Sequence, residues 1–270
     1  MEISLLILLI VFGVLGGFIS GLLGVGGGIV FVPVLSTVVV QLGIADAEQT
    51  QYILANSFAA TFFAGAISSY KQYKLNSFYP KQIVLTAVLA LPSSMAVTYL
   101  IGVGTWYSKE SFAVLFIALL AFMLIRFLFI KPKASQDIAN TKGYQYATTG
   151  FFSGIISALS GLGGGIIMVP ILNQYMRLDI KKAAAISIGV IPIMMIPLIS
   201  YYALATAGEQ IMPNQFGYLL PYVFLPMVAG LLFAAPLGVA FAQKWSAKLL
   251  KIIFASLIII VIIKTIASVL

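Results

Sequence analysis

The 270-residue sequence contains no cysteine and no histidine, and only 8% of its residues are charged. Without cysteine there is no disulfide, no thiolate nucleophile and no thiolate metal site. Without histidine the commonest general base and the usual zinc ligand are missing too. A membrane-embedded enzyme would then need a Ser–Lys pair or an acidic pair within the lipid, and neither is visible. The sequence therefore points away from an enzyme: no catalytic residue, no metal site and no cofactor is expected. The scarcity of charge also argues against a soluble domain, whose surface usually needs about a quarter of charged residues.

What is plentiful is apolar surface. Hydrophobic residues make up 61% of the chain and the mean hydropathy is +1.11. A spanning helix needs roughly 20 mostly apolar residues, because about 30 Å of hydrocarbon is crossed at about 1.5 Å per residue. Apolar segments run at about 3–23, 26–41, 50–70, 79–102 and 111–130, then at about 144–160, 163–176, 183–206, 216–242 and 249–268. The expected fold is an all-α polytopic membrane protein of 8–10 segments, with the lipid bilayer as its surroundings. The net charge of +8 does not imply nucleic acid, because the lysines sit in short loops between apolar runs and make no single basic face. The first segment is expected to be structural and not a signal peptide: its only early charge is Glu2, and its counterpart recurs in mid-chain.

That recurrence organises the chain. Residues 13–35 and 150–172 match at 13 of 23 positions at a constant offset of 137, including Gly24, Gly26, Gly27, Gly28 and Pro33. The similarity continues weakly to Leu124-Ile125-Arg126 against Ile262-Ile263-Lys264. A division follows into a first repeat over 1–135 and a second over 144–270, with 131–143 as a cytoplasmic linker. In each repeat the first two segments form a glycine-tipped hairpin and three transmembrane helices follow.

Loop charge orients the path. Lys71, Lys74 and Lys81 share one loop, Lys131, Lys133 and Lys142 another, Arg177, Lys181 and Lys182 a third, and Lys244, Lys248 and Lys251 a fourth. Loop 42–49 carries only Asp46 and Glu48, and loop 207–215 only Glu209. Placing the basic loops in the cytoplasm puts loop 42–49 outside and its counterpart near 179–186 inside. The two repeats are thus expected to be inverted, as in secondary transporters whose site lies between the repeats near the midplane. Loop 103–110 gives no vote, because Lys109 and Glu110 cancel.

The glycine clusters carry the chemistry. Gly24-Val25-Gly26-Gly27-Gly28 and Gly161-Leu162-Gly163-Gly164-Gly165 interrupt apolar runs, and Pro33 and Pro170 follow at equal distance. Glycine accepts positive φ and costs a membrane helix about 1 kcal/mol against alanine, so such runs favour a break. Glycine also serves simply as a packing surface between helices; two clusters at equivalent positions, each with its proline, favour the break. Freed N–H groups and half-helix N-termini around a shared space make an anion site without a charged side chain. Ser20, Ser157 and Ser160, about a turn before the clusters, can add hydroxyl donors. Further polar candidates are Thr50, Asn56, Ser57 and Thr61 on the third segment and Ser187, aligned with Thr50. A lone buried hydroxyl more often bonds back to its own helix, whereas an amide in lipid needs partners. No acidic residue falls in mid-span. Lys264 is expected to snorkel to the outer end of the last segment.

The paired G-x-G-G-G-x-x-x-V-P hairpins, Gly24 to Pro33 and Gly161 to Pro170, resemble the signature of the sulfite exporter TauE/SafE family. The resemblance covers essentially the whole chain. It implies a permease of a bacterial cytoplasmic membrane that moves sulfite or sulfur-containing organic anions such as sulfonates, usually outward. Its partner would be a small anionic substrate. A passive anion channel or an ion-coupled importer are the alternatives, and a homo-oligomer is left open.

Overall fold

The computed structural model describes residues 3–104, 106–129, 136–208 and 211–269. Among these residues the chain forms ten α-helices: α1 (Ile3–Leu23), α2 (Gly28–Gln41), α3 (Asp46–Lys74), α4 (Pro80–Val103), α5 (Lys109–Phe129), α6 (Gly143–Ser160), α7 (Gly165–Pro170), α8 (Ile180–Leu204), α9 (Pro221–Lys244) and α10 (Ala247–Val269). Lys131, Lys133 and Glu209, used above to orient the loops, lie outside the described residues, as does part of the expected linker and the side chain of Arg126.

One expected segment is not a single α-helix. The run 163–176 divides into α7 and a π-helical turn over Ile171–Tyr175. Pro170 has no N–H to offer the preceding turn, and the ladder beyond it closes with Met176 N–H on the Ile171 carbonyl. In the first half α2 stays helical through Pro33 to Gln41. At about 1.5 Å per residue its 14 residues reach about 21 Å, so this arm crosses only part of the bilayer.

α1, α3, α4, α8 and α9 are long and apolar enough to cross a membrane. In the most apolar stretches of α3 and α8, 72% and 67% of the residues are buried, against 33% in α1 and 39% in α4. The third helix of each half therefore forms the centre. The outer helices turn side chains such as Val114, Phe233 and Ile260 outward, which suits hydrocarbon and not water.

The halves interlock. The first helix of each packs on the fourth helix of the other, α1 on α9 and α6 on α4. Glycine makes the approach possible: a Cβ on Gly13 would lie 2.1 Å from the Met227 carbonyl oxygen, and one on Gly150 would lie 1.9 Å from that of Thr86.

Polar contacts define two ends. At one, Lys109 pairs with Asp46 at 3.0 Å and the Gly208 N–H donates to Glu48 at 2.8 Å. At the other, the Lys181 ammonium donates to the Gln243 carbonyl at 2.6 Å, and the Gln136 side chain donates to the Met176 carbonyl at 2.8 Å. The far end of α2 thus meets the acidic loops, and the far end of the α7 arm meets the basic ones. The two hairpins run in opposite directions, and the repeats are inverted. The Lys109–Asp46 pair also assigns loop 103–110 to the acidic end, where its own charges gave no vote.

Candidate functional site

The two breaks have the same backbone. Gly24, Gly26 and Gly27 have φ of 75°, 92° and 75°, and Gly161, Gly163 and Gly164 have 71°, 77° and 74°. These left-handed values are strained for any residue with a Cβ. The helix ladder stops at the Gly24 N–H on the Ser20 carbonyl and resumes at the Val30 N–H on the Gly27 carbonyl. In the second break it stops at the Gly161 N–H on the Ser157 carbonyl and resumes at the Ile167 N–H on the Gly164 carbonyl. The N–H groups of Gly27, Gly28 and Ile29, and those of Gly164, Gly165 and Ile166, fall in these gaps at the N-termini of α2 and α7. All six residues are buried, Ile29 and Ile166 wholly so, so they are donors awaiting an acceptor.

The breaks meet tip to tip. A Cβ on Gly28 would lie 2.6 Å from the Gly161 carbonyl oxygen and from the Leu162 Cα, and one on Gly165 would lie 2.4 Å from the Gly24 carbonyl oxygen. Each third helix then crosses to the break of the other half. The Ser57 hydroxyl donates to the Gly161 carbonyl at 2.8 Å, and the Ser187 hydroxyl to the Gly24 carbonyl at 2.7 Å. Thr61 lies beside both tips, its methyl within 3.0 Å of a Cβ on Gly26 and 2.7 Å of one on Gly163.

Several hydroxyls around this point are buried without a hydrogen-bond partner: Ser20, Ser157, Thr61 and Ser153. Ser20 and Ser157 occupy equivalent places in the two repeats. Ser153 was missed by sequence reasoning. It stands where the first repeat has Gly16, and its signal was spacing: it shares a helix face with Ser157, four residues on.

The other candidates are placed differently. Ser160 bonds back to the Ile156 carbonyl at 2.6 Å and accepts the Leu162 N–H at 3.3 Å, so it serves the backbone of its own break. Asn56 is fully committed: its amide donates to the Tyr52 and Tyr218 carbonyls at 2.8 and 3.1 Å and accepts the Leu220 N–H at 2.9 Å. It holds the loop between α8 and α9 against α3. Glu48 supports the same loop, accepting from the Tyr218 hydroxyl at 3.1 Å as well as from Gly208. Burial, and then the Glu48 carboxylate beside it, push the Tyr218 phenol up to about 12, so it remains a donor. Thr50 is buried, but its alignment with Ser187 is corrected: Ser57 plays the part of Ser187. α2 has 14 residues where the α7 arm has 6 and 5, and Ser57 is the twelfth residue of α3 where Ser187 is the eighth of α8. The first hairpin is longer by about a turn on each side, so a constant offset fails beyond it. At the register of Ser57 and Ser187, Thr61 corresponds to Ile191, and the polar lining is unequal between the halves. Lys264 does not snorkel to the outer end: its ammonium donates to the Pro33 carbonyl at 3.0 Å, joining the hydroxyls of Ser36 and Thr37 there.

The arrangement is rich in donors, with N–H and O–H groups and two positive helix ends. Such a set suits a small anion.

Three relatives align over nearly their whole length. The chain is 29% identical to a protein of Methanocaldococcus jannaschii over 257 residues, 94% of this chain and 92% of that protein. It is 26% identical to one of Haemophilus influenzae over 262 residues, covering 96% and 97%. A third, YunE of Bacillus subtilis, is 26% identical over 274 residues, covering 94% and 95%. All three are described as probable membrane transporter proteins. The family model of the sulfite exporter TauE/SafE proteins matches residues 9–265. With that match spanning both hairpins and all ten helices, the chain is a membrane transporter that belongs to the sulfite exporter TauE/SafE family.

Proposed function

We propose that the chain is a secondary transporter that carries sulfite or sulfur-containing organic anions such as sulfonates out of the cell across a bacterial cytoplasmic membrane. One observation carries this reading: two inverted half-helices start tip to tip with unsatisfied buried N–H donors, and Ser20, Ser157 and Thr61 add hydroxyls without partners. An anion between the breaks would satisfy these donors, whereas a cation would meet the positive ends of both half-helices. The glycines Gly24, Gly26–Gly28, Gly161 and Gly163–Gly165 form the frame of this site. Ser57 and Ser187 hold it together, Ser160 serves the backbone of the second break, and Asn56 fastens the α8–α9 loop to α3, the helix that also carries Thr50.

Direct contact between the tips favours alternating access over a standing channel, since the anion must part the breaks to pass. The units that move would be the repeats, 1–135 and 144–270, joined by 131–143. With the basic end in the cytoplasm, export of an anion runs down the membrane potential by about 2.3 kcal/mol per charge per 100 mV, without a nucleotide motor.

The test is flux of sulfite and of short-chain sulfonates in proteoliposomes at set membrane potential, for the native chain and for Ser20→Ala with Ser157→Ala. Saturable flux that rises with potential and falls in the double variant supports the reading. Ohmic current without saturation would make the protein a channel, and no flux of any sulfur anion would remove the substrate assignment.

A further inference from the structure

At the basic end a narrow cavity of about 20 Å³ leads inward to the first break, lined among others by Leu22, Val25, Val169, Ala184 and Ala242. It has room for about one water molecule. Three of its lining residues, from three helices, are tied together across it. The Lys181 ammonium on α8 donates to the Gln243 carbonyl in the last turn of α9, at 2.6 Å. The Gln243 amide reaches the Gln72 side-chain oxygen of α3 at 3.3 Å, and Gln72 is itself buried at 2% exposure. Of the charges beside Lys181 on α8, Lys182 pairs with Asp137 at 3.8 Å and the Asp179 carboxylate accepts the Lys181 N–H at 2.8 Å; Lys71 and Lys244 flank Gln72 and Gln243 in sequence.

We infer that Lys181 is the residue that admits the anion from the basic end. This rests on the transport reading above. The ammonium has two alternative partners of similar chemistry. In the closed mouth it caps the carbonyl end of α9, where a cation is favoured by the helix dipole. An arriving anion offers a stronger, charge-assisted partner. When Lys181 turns to the anion, Gln243 loses its tie to α8 and the longer amide contact to Gln72 parts. The passage to Val25 and Val169 then widens. Lys181 thus couples opening to the sign of the ligand: an anion unlocks the mouth and a cation does not. It is a specificity-determining residue at some distance from the break, reached before the donors of the two half-helices.

The absence of native cysteine permits a direct test that does not require the natural substrate. Val169→Cys, close to volume-conserving, is placed in the passage, with Ala242→Cys as a second reporter near the mouth. Each is prepared in nanodiscs, where both faces are accessible. Labelling rates are measured with a thiosulfonate reagent carrying a sulfonate and with its trimethylammonium analogue. With Lys181 present the anionic reagent is expected to react about tenfold faster than the cationic one. Lys181→Met should raise the cationic rate and bring the ratio close to one, and Lys181→Arg should restore the preference. A merely structural cap would change both rates together and leave the ratio untouched; that result, or rates unaffected by Lys181→Met, overturns the inference. If the ratio behaves as expected while proteoliposomes carry no sulfur anion, the role of Lys181 stands and the substrate assignment falls.

Discussion

The Ser187 hydroxyl donates to the Gly24 carbonyl at 2.7 Å, across 163 positions of sequence. Its counterpart, Ser57 on Gly161 at 2.8 Å, completes a reciprocal pair in which each central helix holds the break of the opposite half. Both carbonyls lost a helix partner when the ladder stopped at the glycines, so the serines satisfy groups that the break exposes. Ser57→Ala and Ser187→Ala should each lower the stability of the protein by about 1 kcal/mol, the scale of a hydrogen bond between membrane helices. The check is the thermal midpoint in detergent. A midpoint unchanged in both variants would mean that the latches are incidental.

The close approach of the tips makes a second expectation specific. Gly28 lies in α2, yet its Cβ would stand 2.6 Å from the Gly161 carbonyl oxygen. Gly43, in the loop after α2, has φ of 72° but nothing within 4 Å of its Cβ position. Gly43→Ala should therefore lose only the backbone term, about 1 kcal/mol. Gly28→Ala must push the breaks apart, and a loss of more than about 3 kcal/mol or failure to accumulate is expected. Equal effects of the two substitutions on folded yield and melting would contradict the tip-to-tip contact.

The hairpins could be read from sequence because three glycines and a spaced proline leave few backbone choices, and their duplication fixed equivalent places. The inversion was legible through Lys and Arg in alternate loops, although loop 103–110 needed the Lys109–Asp46 pair to be assigned. The register of the third helices was not legible. A constant offset joins Thr50 to Ser187, and only the extra turn in α2 and α3 shows that Ser57 is the true counterpart. Asn56 illustrates another limit: an amide in a span must find partners, but periodicity does not tell a ligand from the carbonyls of a distant loop. The closure at Lys181 was invisible for a related reason, since Gln243 takes part through its main chain.

Asn56 now yields an expectation opposite to that of a binding residue. Two of its three hydrogen bonds, to the Tyr218 carbonyl and from the Leu220 N–H, fasten the end of the α8–α9 loop to α3, and Asn56→Ala leaves the buried Leu220 N–H without an acceptor. A loss of about 2 kcal/mol is expected, together with faster hydrogen exchange at 216–220 and little change within α4 or α6. Transport should lose rate through a leaky outer end while apparent affinity stays near the native value. Unaltered exchange with a weakened affinity would return Asn56 to the binding site.

Thr61 offers the sharpest separation of binding from packing. Its methyl touches both breaks, its hydroxyl is buried without a partner, and its counterpart Ile191 has no hydroxyl. Thr61→Val keeps the shape and removes only the oxygen. If the hydroxyl is an idle buried polar group, the variant gains stability, by up to about 1 kcal/mol, and transports as before. If it donates to the anion, the variant still gains stability in the ligand-free state but loses a hydrogen bond to a charge, about 1.5–3 kcal/mol. That corresponds to a rise in the apparent KM for the anion of roughly ten- to a hundredfold. Melting without substrate and saturation of flux, measured on the same preparation, therefore distinguish the two roles. The second outcome is expected, because a hydroxyl held against two sets of unsatisfied N–H donors has a reason to persist only if an acceptor comes between them.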